Sequence, residues 1–148
     1  METLPDVTAT DADGAPLQLH DLDRPLVVYF YPKDNTPGCT REAQDFSALA
    51  DEFAAAGVTL LGISRDSVAK HGKFAAKHAL TVPLASDLDG SVTEAFGVWG
   101  ERQMYGRTYM GIERATFLFD ADGRLAREWR KVKVPGHAEA VLAAARGQ

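Results

Sequence analysis

Residues 25–42 read PLVVYFYPKDNTPGCTRE, from Pro25 to Glu42, and most of the fold can be read outward from them. Pro25–Tyr31 (PLVVYFY) is rich in β-branched and aromatic residues and nearly continuous in apolar character. That marks a strand buried on both faces rather than one with a wet side. The run stops at Pro32. A few residues on, Thr36 is a good N-cap and Pro37 suits the first helical position. Cys39 then falls in the first helical turn, where unpaired N–H groups point outward and the dipole favours an anion. Gly38 lets backbone come close to a ligand. The C-terminal end of a central strand is also where α/β proteins tend to place ligands.

The same alternation continues along the chain. Phe46, Leu49 and Phe53 recur at helical spacing inside Thr40–Ala56, and Gly57 follows as a left-handed helix stop. Val58–Ile63 (VTLLGI) predicts a second buried strand, and Val68–His78 a helix capped by Asp66 or Ser67. A short strand near Pro83–Ala85, a short helix over Ser91–Phe96, and strands over Ala115–Phe119 and Leu125–Trp129 follow. Asp120-Ala121-Asp122-Gly123 joins the last two strands as a hairpin turn. His137–Arg146, rich in alanine, predicts a closing helix. Near the start, Ala12-Asp13-Gly14 separates Val7–Thr10 from Leu17–Leu19 as a small hairpin. This order predicts an α/β protein of thioredoxin-like arrangement: a mixed central sheet flanked by helices, with an N-terminal β-hairpin. Residues 1–148 are expected to form one domain. The Gly-punctuated stretch from Trp99 to Met110 reads as a loop.

Composition excludes more than it identifies. The net charge of -5 lacks the basic footprint that nucleic acid requires. No segment approaches the roughly 18 apolar residues that span a membrane. Met1–Thr10 has no basic start followed by an apolar stretch, so no secretory signal is expected, and the chain is placed in the cytoplasm. Cys39 is the only cysteine, which excludes an internal disulfide and a multi-cysteine metal site. A lone cysteine is most simply a small buried hydrophobe. The setting of Cys39 argues instead for a reactive thiolate. A free cysteine is only about 3% thiolate at neutral pH, so near-complete ionisation gains about 30-fold, or about 2 kcal/mol. Enzymes supply about 8 kcal/mol or more. Charge moving onto a leaving group therefore also needs stabilising, and the Thr36 hydroxyl, the Cys39 N–H and a nearby arginine could do so.

Pro32, Thr36 and Cys39 stand in the spacing P-x-x-x-T-x-x-C, which resembles the peroxiredoxin active-site motif. The longer string YFYPKDNTPGCTREA is similar to the bacterioferritin-comigratory, or peroxiredoxin Q, branch of that family. The likeness continues through GISRDS at Gly62–Ser67, SDLDG at Ser86–Gly90, the block from Phe96 to Asp120, and GHAEAVL at Gly136–Leu142. It implies that Cys39 attacks a peroxide O–O bond and becomes a sulfenic acid. It also implies that Thr36 hydrogen-bonds peroxide and thiolate, that Pro32 shields the pocket, with Pro37 and Gly38 beside it, and that Arg114 is the active-site arginine. Arg102 and Arg107 match that motif less well. No cofactor is implied.

One departure matters. Many members of this branch carry a resolving cysteine five residues after the first, and here that position is Gln44. The implied enzyme is a one-cysteine peroxidase that reduces hydrogen peroxide and organic hydroperoxides. An external thiol must resolve the sulfenic acid: thioredoxin, glutaredoxin with glutathione, or another small thiol. With no second cysteine, a monomer is expected. A thiol-based redox sensor or adaptor oxidised at Cys39 is the competing function. A cysteine hydrolase would need a histidine base, and none of His20, His71, His78 and His137 stands in a recognisable relation to Cys39. His71 and His78 are expected at the surface or a helix end. Metal ligation is not expected, because Asp87-Leu88-Asp89-Gly90 and its two relatives read as turns. Trp99, Met104, Tyr105, Tyr109 and Met110 could border a pocket for apolar hydroperoxides by the same resemblance. The basic run from Arg124 to Lys133 reads as a solvated edge.

Overall fold

The computed structural model describes residues 1–148. Thr8–Thr10 (β1) and Pro16–Gln18 (β2) close the expected N-terminal hairpin, whose turn is held by Asp11 Oδ1 accepting from Asp13 and Ala15 N–H. Leu26–Phe30 (β3) is buried along its whole length, as its unbroken apolar run requires. Pro37–Ala48 (α1) and Ala50–Ala55 (α2) follow, then Thr59–Ser64 (β4), Val68–Lys77 (α3), Leu84–Ser86 (β5) and Ser91–Ala95 (α4). Trp99–Met104 (β6) and Arg107–Ile112 (β7) pair with each other, and Ala115–Phe119 (β8), Leu125–Trp129 (β9) and His137–Ala145 (α5) complete the chain.

Seven strands form one mixed sheet in the order β2-β1-β5-β4-β3-β8-β9. β3 lies near its middle, parallel to β4 and antiparallel to β8. Period-two alternation sends its side chains to two cores. Val27, Tyr29 and Tyr31 meet α1, α2, α3 and α5 through Phe46, Phe53, Phe74 and Val141. Leu26, Val28 and Phe30 meet α4 and the base of the β6–β7 ribbon through Phe96, Val98 and Ile112. This is the thioredoxin-like arrangement expected. The edge strand β9 carries Arg127, on the exposed basic edge read from the sequence.

Two elements differ from expectation. The single helix over Thr40–Ala56 is broken at Leu49. The Ser47 carbonyl accepts the Thr81 hydroxyl at 3.2 Å while Ser47 Oγ accepts the Thr81 and Val82 N–H groups, which draws that turn out of regular helix. The Trp99–Met110 stretch is not a loop but an antiparallel ribbon with Met104 paired to Arg107. Tyr105 and Gly106 form its two-residue turn, both with positive φ (52° and 77°). That is the backbone of a turn whose sequence signal is normally Asn-Gly or Asp-Gly.

Candidate active site

β3 ends at Phe30, and Tyr31 to Thr36 lead into α1, for which Thr36 is the N-cap residue and Pro37 the first helical residue. The first backbone bond of the helix runs from Thr40 N–H to the Thr36 carbonyl at 2.9 Å. Gly38 and Cys39 therefore precede any intrahelical N–H partner, and their N–H groups lie at the positive end of the helix. Cys39 is 1% exposed and belongs to the apolar core beside Ala43 and Phe46.

Arg114, just before β8, reaches across to this turn. Its Nη2 donates to Cys39 Sγ at 3.3 Å and its Nη1 to Glu42 Oε1 at 2.6 Å. Gly38 makes room: a Cβ there would stand 3.1 Å from Arg114 Nη2. Burial works against the Arg114 charge, but Glu42 and Cys39 outweigh it and hold the guanidinium above its ordinary value. Glu42 is buried one turn after Cys39. Burial raises its carboxyl to about 7 despite the opposing pull of Arg114. Its second oxygen, Oε2, has no hydrogen-bond partner. Glu42 lies inside the helix pattern of the sequence but was not singled out. The signal available was a charged residue three positions after Cys39, on the same helix face.

The other expected residues are placed as follows. Thr36 is half-buried, and its hydroxyl donates to the Lys33 carbonyl at 2.8 Å rather than capping the helix. Pro32 and Thr36 line a cavity of about 500 Å³ that is walled by Arg65, Trp99, Met104, Tyr109, Met110 and Ile112. The β6–β7 ribbon thus borders the cavity next to Thr36, and Cys39 is not part of its lining. Pro32 and Pro37 are exposed. Gln44 is exposed on α1. Of the competing arginines, Arg102 faces Glu113 at 3.8 Å and Arg107 lies exposed on β7; neither is hydrogen-bonded to Cys39.

The histidines need one correction. His71 is not at the surface: it is 4% exposed, with Nδ1 2.5 Å from Asp34 Oδ2 and Nε2 3.1 Å from the Ala85 carbonyl. Its position on the inward face of α3, next to Phe74 in the pattern, was the missed signal. His137 opens α5 and bonds Thr116 Oγ1 at 2.7 Å; burial, aided by the Arg114 charge, lowers it to about 4, so it is neutral at physiological pH. Asp34, Asp66 and His71 bring ligand-type atoms together, but these atoms are engaged with Tyr31, Ser64, Lys70, Ala85 and one another. Asp87 and Asp89 hold the start of α4 by accepting from Val92, Thr93 and Ser91 N–H groups, as turn residues do.

Comparison with known proteins gives a consistent result. Residues 1–128 match the AhpC/TSA family. Peroxiredoxin Bcp of Xanthomonas campestris pv. campestris is 56% identical over 119 residues, covering 80% of this chain and 74% of the relative. Peroxiredoxin Bcp of Bacillus subtilis is 47% identical over 139 residues, covering 93% and 88%. The structure of the Xanthomonas campestris bacterioferritin comigratory protein, studied for alkyl peroxide reduction in trapped intermediate and ligand complexes, superposes with a TM-score of 0.88. It is 48% identical, with 96% of this chain and 91% of that one covered. A cysteine-to-serine mutant of Xylella fastidiosa PrxQ superposes at 0.90 with 43% identity, covering 98% and 93%.

Proposed function

The chain belongs to the AhpC/TSA family as a peroxiredoxin of the Bcp/peroxiredoxin Q kind and is a thiol-dependent peroxidase, and from that premise we propose that Cys39 is its peroxidatic residue. The observation that carries this reading is the single sulfur of the chain held at a helix start with a guanidinium N–H on it at 3.3 Å. The Cys39 thiolate attacks one oxygen of R–O–O–H. The S–O bond forms as the O–O bond breaks, the sulfur is oxidised to Cys–S–OH, and the leaving alkoxide or hydroxide takes a proton to become alcohol or water. Arg114 stabilises negative charge as it passes from sulfur to the leaving oxygen, assisted by the first-turn N–H groups of α1. Thr36, its proton engaged by Lys33, offers its oxygen as acceptor to the peroxide O–H. Glu42 acts on Arg114, fixing the fork so that the other N–H group reaches sulfur.

An external thiol completes the cycle. Its attack on Cys–S–OH releases water and forms a mixed disulfide, and a second thiol releases reduced Cys39 as a disulfide of the reductant. Thioredoxin, glutaredoxin with glutathione, or another small thiol would fill this role in a reducing cytoplasm, where we place the protein as a monomer of one peroxidase domain. Burial of Cys39 supports the monomer, because a covalent dimer could only join two such sulfurs. The cavity beside the ribbon supports organic hydroperoxides as substrates alongside hydrogen peroxide. The test is steady consumption of both peroxides with each reductant supplied in turn. Many equivalents per chain are expected, whereas a halt at one equivalent with every thiol would favour the sensor.

Gln44→Cys is expected to lower overoxidation, since a nearby thiol can trap the sulfenic acid before a second peroxide does. Residues five apart on an α-helix are separated by about 7.5 Å along the axis, beyond disulfide reach. The bond therefore requires the first turn of α1 to unwind. Mass spectrometry after a peroxide titration should find severalfold less sulfinic acid in the variant; equal amounts in both proteins would refute the idea.

Glu42 also predicts a pH dependence of stability. Its folded value of about 7 stands above the ordinary 4.5, so the folded chain holds a proton that the unfolded chain releases. This contribution is present at low pH and is lost as pH rises from about 4.5 through about 7, by about 3 kcal/mol. His137, lowered to about 4, acts in the opposite sense between about 4 and its ordinary 6.5, so Glu42 is read from the difference between wild type and Glu42→Gln. Between about pH 6.5 and 8 the urea midpoint of the wild type should fall relative to that of Glu42→Gln.

A further inference from the structure

Asp34 and His71 form a buried polar cluster that the peroxide chemistry above does not use. Asp34 stands in the connection between β3 and α1, two residues after Pro32 and two before Thr36, and is 2% exposed. Four elements hold it. The Tyr31 hydroxyl at the end of β3 donates to its Oδ1 at 2.7 Å. Burial, with Tyr29 and Asp34 adding, raises the Tyr31 phenol and keeps it a donor. His71 of α3 meets its Oδ2, and the far side of the same ring meets the Ala85 carbonyl of β5. The Asp34 N–H donates to Asp66 Oδ2 at 2.8 Å, an oxygen that also receives the Ser64 hydroxyl from the end of β4. The ring thus spans Asp34 and Ala85, one nitrogen facing each. Immediately after this anchor Asn35 turns left-handed at φ 63°, and Thr36 and Pro37 begin α1.

We propose that Asp34 and His71 are positioning residues that lock the catalytic connection onto α3 and β5. The lock keeps Thr36 and Pro32 in register with Cys39 while shielding the sulfur from electrophiles that make no use of those contacts. This rests on Cys39 being the peroxidatic residue. A buried polar pair is weak as a source of net stability, because desolvation offsets attraction, but it specifies one arrangement over its neighbours. Placement errors of about 1 Å at a reacting centre can cost about 100-fold in rate. A loosened connection should therefore slow the reaction with peroxide and speed the reaction with an electrophile that needs only access to the sulfur.

The experiment compares His71→Asn, His71→Gln and His71→Leu, each checked for folding by circular dichroism. The asparagine amide nitrogen can stand where Nδ1 stood and serve Asp34. The glutamine amide reaches the place of Nε2 and serves Ala85 only, and leucine serves neither. Two rates are measured on the same sulfur: oxidation of Cys39 by hydrogen peroxide and alkylation by iodoacetamide. For His71→Leu and His71→Gln, oxidation should slow about tenfold and alkylation quicken about tenfold, with His71→Asn within about twofold of wild type in both. A melting point that falls while both rates stay put would overturn the proposal, as would glutamine restoring the rates as well as asparagine does. If the leucine variant does not fold, Asp34→Asn takes its place with the same two outcomes. Failure of the wild type to oxidise at Cys39 would count against the peroxidase reading alone, since the alkylation rates still decide the lock.

Discussion

Cys39→Ser should leave a folded protein with peroxide consumption at the uncatalysed rate, a loss of about 10⁶-fold if this enzyme sits even at the low end of enzymatic acceleration. The chain has no other sulfur nucleophile of its kind to take over. A serine hydroxyl stays protonated at neutral pH and its oxygen cannot carry the two-electron oxidation that sulfur undergoes on its way to a sulfenic acid. The change is nearly isosteric, and the new hydroxyl oxygen can accept from Arg114 as the sulfur does, so the core around Ala43 and Phe46 should survive. Consumption of peroxide is the measurement, with circular dichroism as control. Full activity in the serine variant would remove the basis for every role assigned here.

Arg114→Ala should slow Cys39 oxidation by about 10²–10³-fold, the range seen when one pre-organised donor to a developing negative charge is removed. Two losses coincide. Sulfur loses its donor at 3.3 Å, and Glu42 loses the partner of a carboxylate that is 1% exposed. An unpaired buried carboxylate is costly to keep ionised, so stability should fall most at alkaline pH. The double variant with Glu42→Gln separates the effects: it should recover stability but not rate. Arg114→Lys is no conservative substitute, because one ammonium cannot reproduce the fork that spans Glu42 Oε1 and Cys39 Sγ. Recovery of the rate in the double variant would move Arg114 from the chemistry to the scaffold.

What was legible in the sequence was legible for local reasons. Leu26–Phe30 is a strand because its residues have no polar face to show to water, and α1 starts where Thr36, Pro37 and the helical spacing that leads to Phe46 all agree. Arg114 was legible only through resemblance. Nothing in its own neighbourhood marks it, since its partners lie 72 and 75 residues away in the chain. The β6–β7 ribbon escaped because its strands are largely exposed and polar and its turn is Tyr105-Gly106, with a tyrosine where asparagine or aspartate usually signals a left-handed residue. His71 shares the inward face of α3 with Phe74, but the partner that satisfies its ring there is Asp34, 37 residues earlier. The break at Leu49 escaped for the same reason: helix periodicity runs through it, and only Thr81, 34 residues on from Ser47, explains the diversion of that turn.

That break has a mechanical side. A protein reductant cannot touch a sulfur 1% exposed until the start of α1 opens. Helix melting is cooperative, and in one unbroken rod from Pro37 to Ala55 the fraying would tend to run the whole length and pull Phe53 out of its seat. The fault at Leu49 works as a fuse. It would confine such an opening to the twelve residues of α1 and leave α2, packed into the core through Phe53, as the fixed post from which the helix winds back.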